Sequence, residues 1–150
     1  MHLDSNNIEK YLKKLDKNSS PMWGTLNPSQ MLFHCNTFIE VSLGRKKMSF
    51  ITRISSRLFF RYLFLKYLNY IDFNINKFKR NSATLTIFKT FPRTIDFDNE
   101  KNRLIYIYKK IEEINTEKVF HQMYGQIPSS VLKKLVRFHT SYHLNQFGLF

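Results

Sequence analysis

Cysteine is almost missing from this chain: of 150 residues, Cys35 is the only one. No intramolecular disulfide can form, and such sparing use fits a reducing interior. Acidic residues are scarce as well, 11 Asp and Glu against 24 Lys and Arg, for a formal charge of +13. A surplus of this size attracts polyanions, whether nucleic acid, anionic membrane or phosphorylated ligands. It also has a duller source, because a chain rich in Lys, Asn, Ile, Phe and Tyr with one alanine, Ala83, is what AT-rich coding produces. No window approaches 18 uninterrupted apolar residues, and the greasiest, residues 58–65, contains Arg61, so no membrane-spanning helix is expected. The opening Met-His-Leu-Asp-Ser-Asn-Asn has neither the basic region nor the apolar run of a signal peptide. A P-loop, a Gly-rich nucleotide loop and a Ser-His-Asp triad are missing, and no helix-turn-helix, finger or RNA-binding signature accompanies the charge. What is present, 43% apolar residues with 15 Phe and 8 Tyr, argues for a packed globule. The expectation is one soluble, cytoplasmic domain over residues 1–150.

Periodicity then divides the chain. Ile8, Tyr11, Leu12 and Leu15 form an apolar stripe on a first helix expected over residues 4–18, capped by Asp4 or Ser5, with Lys10, Lys13, Lys14 and Lys17 on its solvated side. Turn formers break the pattern from Asn18 to Gly24. Asn27 and Pro28 start a second helix through Leu43, and Gly44 suits its end. Residues 45–80 carry ten of the basic residues and a single acid, Asp72. Within them residues 50–70 look helical, with Arg53, Arg57 and Arg61 along one edge and Ile54, Leu58, Tyr62 and Leu65 along another. That breadth of apolar surface suggests a helix covered on more than one side with snorkelling arginines, or a basic amphipathic helix touching a membrane. Residues 71–92 have no clear helical period; residues 83–88 read as a short strand or an extended crossover. Asp96 caps a third core helix whose face is drawn by Leu104, Ile107, Tyr108, Ile111 and Ile114. Residues 118–130 read as a loop. The last helix carries Val131, Leu132, Leu135, Val136, Phe138 and Leu144 and ends near Gly148. The fold class this predicts is all-α: a four-helix bundle with a basic, partly irregular insert between the second and third core helices.

The chemistry concentrates at His139-Thr-Ser-Tyr-His143. Two residues four apart on a helix of 3.6 residues per turn differ by roughly 40° in azimuth, so both imidazoles leave one face and can converge on one ion. They can equally be polar residues on a solvated face. Zinc-type sites take three protein ligands plus water, and His34, from the second helix, is the candidate third. It shares a face with Gln30, Met31, Phe38 and Val41, where a histidine can also be a hydrogen-bonded core residue. Cys35 points about 100° away from His34 and reads as core filler. Asn36, Tyr142 and Gln146 are polar candidates nearby.

Trp23-Gly-Thr-Leu-Asn-Pro-Ser-Gln30-Met-Leu-Phe-His34-Cys resembles the second-helix signature of the DinB/YfiT-like superfamily, and more narrowly a bacterial branch labelled a domain of unknown function. His121-Gln-Met-Tyr-Gly125, followed by His139-x-x-x-His143-Leu-x-Gln146-Phe-Gly148, is similar to the same branch, in which a His-Pro-x-Phe-Gly loop precedes the last helix. The resemblance covers both ends of the chain and is weak in the middle. It implies a four-helix bundle, often dimeric, with a divalent metal, nickel or zinc, held by His34, His139 and His143. Relatives often end in His-x-x-His-His; here Tyr142 takes the middle position, and Gln122 stands where the loop usually has Pro. His121 matches the loop histidine, with a surface or structural role favoured over contact with the ligands. Gln30, Tyr142, Gln146 and His121 are the candidates for supporting the ligands.

Three neutral imidazoles leave an ion with open positions, where it can lower the pKa of bound water to about 7 or activate a thiolate. Some relatives resemble thiol transferases using low-molecular-weight thiols, and others hydrolases. No Glu neighbours either histidine motif, unlike zincin-type His-Glu-x-x-His, so no general base or other catalytic residue can be named. The two readings are a metal-dependent hydrolase or thiol transferase acting on a small molecule, and a non-catalytic protein whose basic aromatic surface binds an anionic membrane or, less in keeping with the motifs, nucleic acid.

Overall fold

The computed structural model describes residues 3–150; residues 1 and 2, which open the stretch read for a signal peptide, lie outside the described residues. The first helix, α1 (Ile8–Lys13), is shorter than expected. Before it, Asp4 Oδ1 accepts the Asn6 and Asn7 N–H groups. After it, Asp16 Oδ1 accepts the Asn18 N–H, and Ser19 Oγ accepts the Asp16 N–H. Such local side-chain bonds compete with helical ones. The helix therefore stops early, although Ile8, Leu12 and Leu15 of its stripe are all buried.

The next helix, α2 (Pro28–Ser42), starts where Asn27 and Pro28 place it. Asn27 accepts the Gln30 N–H while the Gln30 side chain accepts the Asn27 N–H, a reciprocal capping box that satisfies two otherwise orphaned donors. Met31, Leu32, Cys35 and Ile39 are fully enclosed. Burial pushes the Cys35 thiol up, away from the reactive thiolate.

Then comes an arm of α3 (Phe50–Ser55), a π-helical turn over Ser56–Phe60, and α4 (Arg61–Tyr70). The helical expectation for residues 50–70 is met, but burial on more than one side is not. No residue of α3 and only Leu68 of α4 is buried. Phe64 and Leu65 pack against the core, while Ile51, Leu58 and Leu63 on the other side are 80%, 62% and 71% exposed.

Residues 71–92 form an irregular crossover containing two short 3-10 turns, Ile75–Lys77 and Thr86–Phe88. Residues 83–88 are thus not a strand. Asp96 Oδ1 accepts the Asn99 N–H and opens α5 (Phe97–Glu112), which buries Leu104, Ile107, Tyr108 and Ile111. The loop expected over residues 118–130 is instead a hairpin of β1 (Lys118–His121) and β2 (Gly125–Pro128), antiparallel, pairing Val119 with Ile127 and His121 with Gly125. The final helix, α6 (Ser129–Gln146), closes with the Gly148 N–H on the Asn145 carbonyl and the Leu149 N–H on the Leu144 carbonyl, the pairing of a glycine-terminated helix.

α2 lies against both α5 and α6, and α5 also touches α1 and α6. Polar groups fix these contacts. Asn36 Nδ2 donates to the Glu100 carboxylate at 2.6 Å and to its carbonyl at 2.9 Å, and Arg103 joins Glu100 to Glu40. Arg137 makes a two-pronged pair with Glu112 at 2.6 and 2.8 Å, tying α6 to α5. The chain is mostly helical with one small two-stranded sheet, compatible with an all-α class. No helix among the described residues is long and apolar enough to cross a membrane.

Candidate metal centre

His34 projects from the middle of α2, and His139 and His143 from successive turns of α6. One ring nitrogen from each lies within 4.8 Å of the others. The ring centroids are 5.0 Å apart for His34 and His139, 4.5 Å for His34 and His143, and 4.6 Å for His139 and His143. Nε2 of His34 and Nε2 of His139 stand 3.1 Å apart. Two nitrogens bound at about 2.0–2.1 Å to one ion stand about 2.8–3.4 Å apart for octahedral or tetrahedral angles. The observed separation falls within that interval.

Hydrogen bonds decide which nitrogens are free. His34 Nδ1 donates to the carbonyl of Phe88 at 2.8 Å, so its Nε2 carries the lone pair. The Gln146 amide donates through Nε2 to the Trp23 carbonyl at 3.4 Å, which turns its Oε1 toward His143. His143 Nδ1 donates to that oxygen, leaving His143 Nε2 as the lone-pair atom. Ligating histidines are oriented by such bonds to the other ring nitrogen. His139 lacks one; its Nδ1 is buried with no hydrogen-bond partner. Phe38 holds that ring instead, stacked on it at 3.9 Å and 11°. Without a cation, the proton between the two facing Nε2 atoms must sit on His139, which leaves its buried Nδ1 as a bare acceptor. A buried acceptor without a donor is costly. With a cation between the Nε2 atoms, no proton has to be placed there. The donor set, three imidazoles, suits zinc- and nickel-type ions.

All three rings are held neutral. Burial depresses the His34 pKa, and the Phe88 bond only partly offsets it. His139 is depressed well below the usual range by burial and by His143 and His34. Burial and His34 bring His143 down to about 3. Neutral imidazole is the form that binds metal.

The cluster forms part of the wall of a cavity of about 1020 Å³. Phe64 and Tyr67 of the arm, Phe78 and Phe88 of the crossover, and Phe138 of α6 supply much of its apolar lining, with Lys79 and Lys89 beside them. No carboxylate lines it among the described residues. Tyr142 is in the wall, edge-on to the His143 ring at 5.2 Å, its hydroxyl donating to the Lys79 carbonyl. Gly24 sits against the Gln146 amide at φ +86°.

Of the residues singled out in the sequence, the structure thus brings together His34, His139, His143, Gln146 and Tyr142. It places three elsewhere. Gln30 is taken up in the α2 capping box, and Asn36 faces α5. His121 is neither on the surface nor beside the cluster: it is fully buried, its Nδ1 accepting the Met123 N–H and its Nε2 donating to Ser42 Oγ. The carbonyl of Phe88, the partner of His34, has no sequence signal. Phe38, four residues after His34, carried one: the same helix face. Compared with protein-family models, with curated proteins and with solved structures, the chain has no significant match.

Proposed function

We propose that this chain is a single-domain, four-helix-bundle metalloprotein of the DinB/YfiT-like superfamily, with a nickel or zinc ion held by His34, His139 and His143. The observation that carries the reading is the geometry of the cluster: one ring nitrogen from each histidine converges while the far nitrogens of His34 and His143 are tied to Phe88 and Gln146. The contacts of α2 with α5 and α6, and of α5 with α1, are those a four-helix bundle would make.

Of the two reaction classes, thiol transfer is favoured over hydrolysis. A bound divalent ion supplies Lewis acidity that lowers the pKa of a thiol or water at its open position. Hydrolysis at such a site commonly enlists a carboxylate as general base, and none lines this cavity among the described residues. A thiol already ionised at the ion needs no such base. The roles left to the chain are to hold and to exclude. Phe64, Phe78 and Phe138 present apolar surface to the body of an electrophilic small molecule and keep water out. Lys79 and Lys89 give the cavity a positive potential suited to an anionic thiol cosubstrate.

Metal analysis of untagged protein tests the site. About one divalent ion per chain is expected, and less than about a tenth of that after His34→Ala. Turnover of an apolar electrophile with a low-molecular-weight thiol, lost in the same variant, tests the activity. Ester hydrolysis without any thiol dependence would reverse the preference.

A further inference from the structure

The arm formed by α3, the π turn and α4 presents an apolar stripe that nothing covers among the described residues. Phe50, Ile51, Leu58, Phe59, Tyr62 and Leu63 are each more than 60% exposed. Successive large apolar residues on one side of a helix are not the scattered exposure common on soluble surfaces. The arm's orientation is fixed by its other edge. Arg57 Nε donates to the Gln122 carbonyl and lies over the Phe120 ring, while Arg61 donates to the Gln126 carbonyl. Two arginines thus clamp the arm onto the hairpin and turn the apolar residues outward.

The surroundings select the occupant. No acid occurs from residue 41 to residue 71, and residues 45–80 hold ten basic residues against one acid. Arg45, Lys47 and Lys66 are exposed along this segment. A second copy docked stripe to stripe would bring two such basic surfaces together, which opposes association. Nucleic acid would meet the charge but leave the Phe, Ile and Leu side chains uncovered. An anionic bilayer satisfies both halves, apolar residues entering the acyl boundary and basic residues meeting the headgroups.

We infer that this arm is a membrane-docking surface that seats the protein, without spanning, on anionic phospholipid. The inner side of the same arm, Phe64 and Tyr67, walls the cavity, so docking sets that cavity close to the lipid.

Cosedimentation with vesicles tests this. The wild-type chain should bind phosphatidylcholine vesicles containing about one third phosphatidylglycerol, scarcely bind phosphatidylcholine alone, and weaken as salt is raised. Joint Leu58→Asp and Leu63→Asp replacement should cut binding at least ~10-fold, and Lys66→Gln about 5-fold. All these positions are exposed, so helical circular dichroism and the content of bound metal should stay unchanged; a lost metal centre and a lost docking surface are therefore separate results. The inference is overturned if wild type ignores anionic vesicles or if the double variant binds them as well as wild type. It is equally overturned if the stripe instead drives dimerisation that the double variant abolishes, or if the basic residues serve tight duplex DNA binding that survives loss of Leu58 and Leu63.

Discussion

At the scale of single residues, His34 is the α2 residue that brings a ring nitrogen to the pair on α6. His34→Ala should remove metal retention, read by metal analysis after dialysis, while the circular dichroism spectrum stays helical. The supporting groups have smaller, graded effects. Gln146→Leu frees His143 Nδ1 from its acceptor and should weaken metal affinity about 10–100-fold in a chelator competition. Gly24→Ala should act in the same direction, because a methyl there displaces the Gln146 amide and the backbone is left-handed. Phe38 serves two ends: it is core, and it stacks on His139. Phe38→Ala should cost about 3–5 kcal/mol in urea unfolding and also loosen metal binding. The His139–His143 pair was legible because helical spacing alone puts both on one face. The Phe88 carbonyl was not, since it is a backbone atom 54 residues from its partner and leaves no trace in residue type.

Among the elements, α2, α5 and α6 were readable from their caps and periods, and Asn27, Asp96 and Gly148 stand where those rules put them. The hairpin was hidden because each strand has only four residues. Gly125 and Pro128 there punctuate strand ends in the same way that they punctuate loops. Arm burial was misread for a different reason. Apolar breadth shows how much surface wants covering, but it does not say whether this chain supplies the cover. Between elements, the Asn36–Glu100 contact is the polar anchor of α2 on α5. Asn36→Ala should destabilise by about 1–3 kcal/mol in denaturant unfolding, because it leaves a nearly buried carboxylate short of a donor.

The whole molecule answers to pH through its buried imidazoles. His121 stands apart from the cluster, and burial brings its pKa down to about 3. Below the unfolded value of about 6.5 the unfolded chain takes up a proton there that the folded chain refuses, so stability is full above that pH and falls as pH drops toward 3. The slope from this group is up to about 1.4 kcal/mol per pH unit. Urea midpoints of metal-free protein from pH 7 to pH 4 should show it, and His121→Gln should lessen the slope, leaving the part due to the other buried histidines. Because burial also keeps His34, His139 and His143 neutral, metal should stay bound well below pH 6.5, where an exposed histidine site would release it.

The bond from His34 Nδ1 to the Phe88 carbonyl joins a ring of the histidine cluster to the irregular crossover. An ion that locks the ring would therefore also fasten the strap of chain over it, so the loaded and empty proteins should differ in how they are cut. Trypsin has Lys79, Arg80 and Lys89 within that strap. Chelation should speed nicking there while sites on α5 stay protected, giving a gel-band readout of occupancy that requires no substrate.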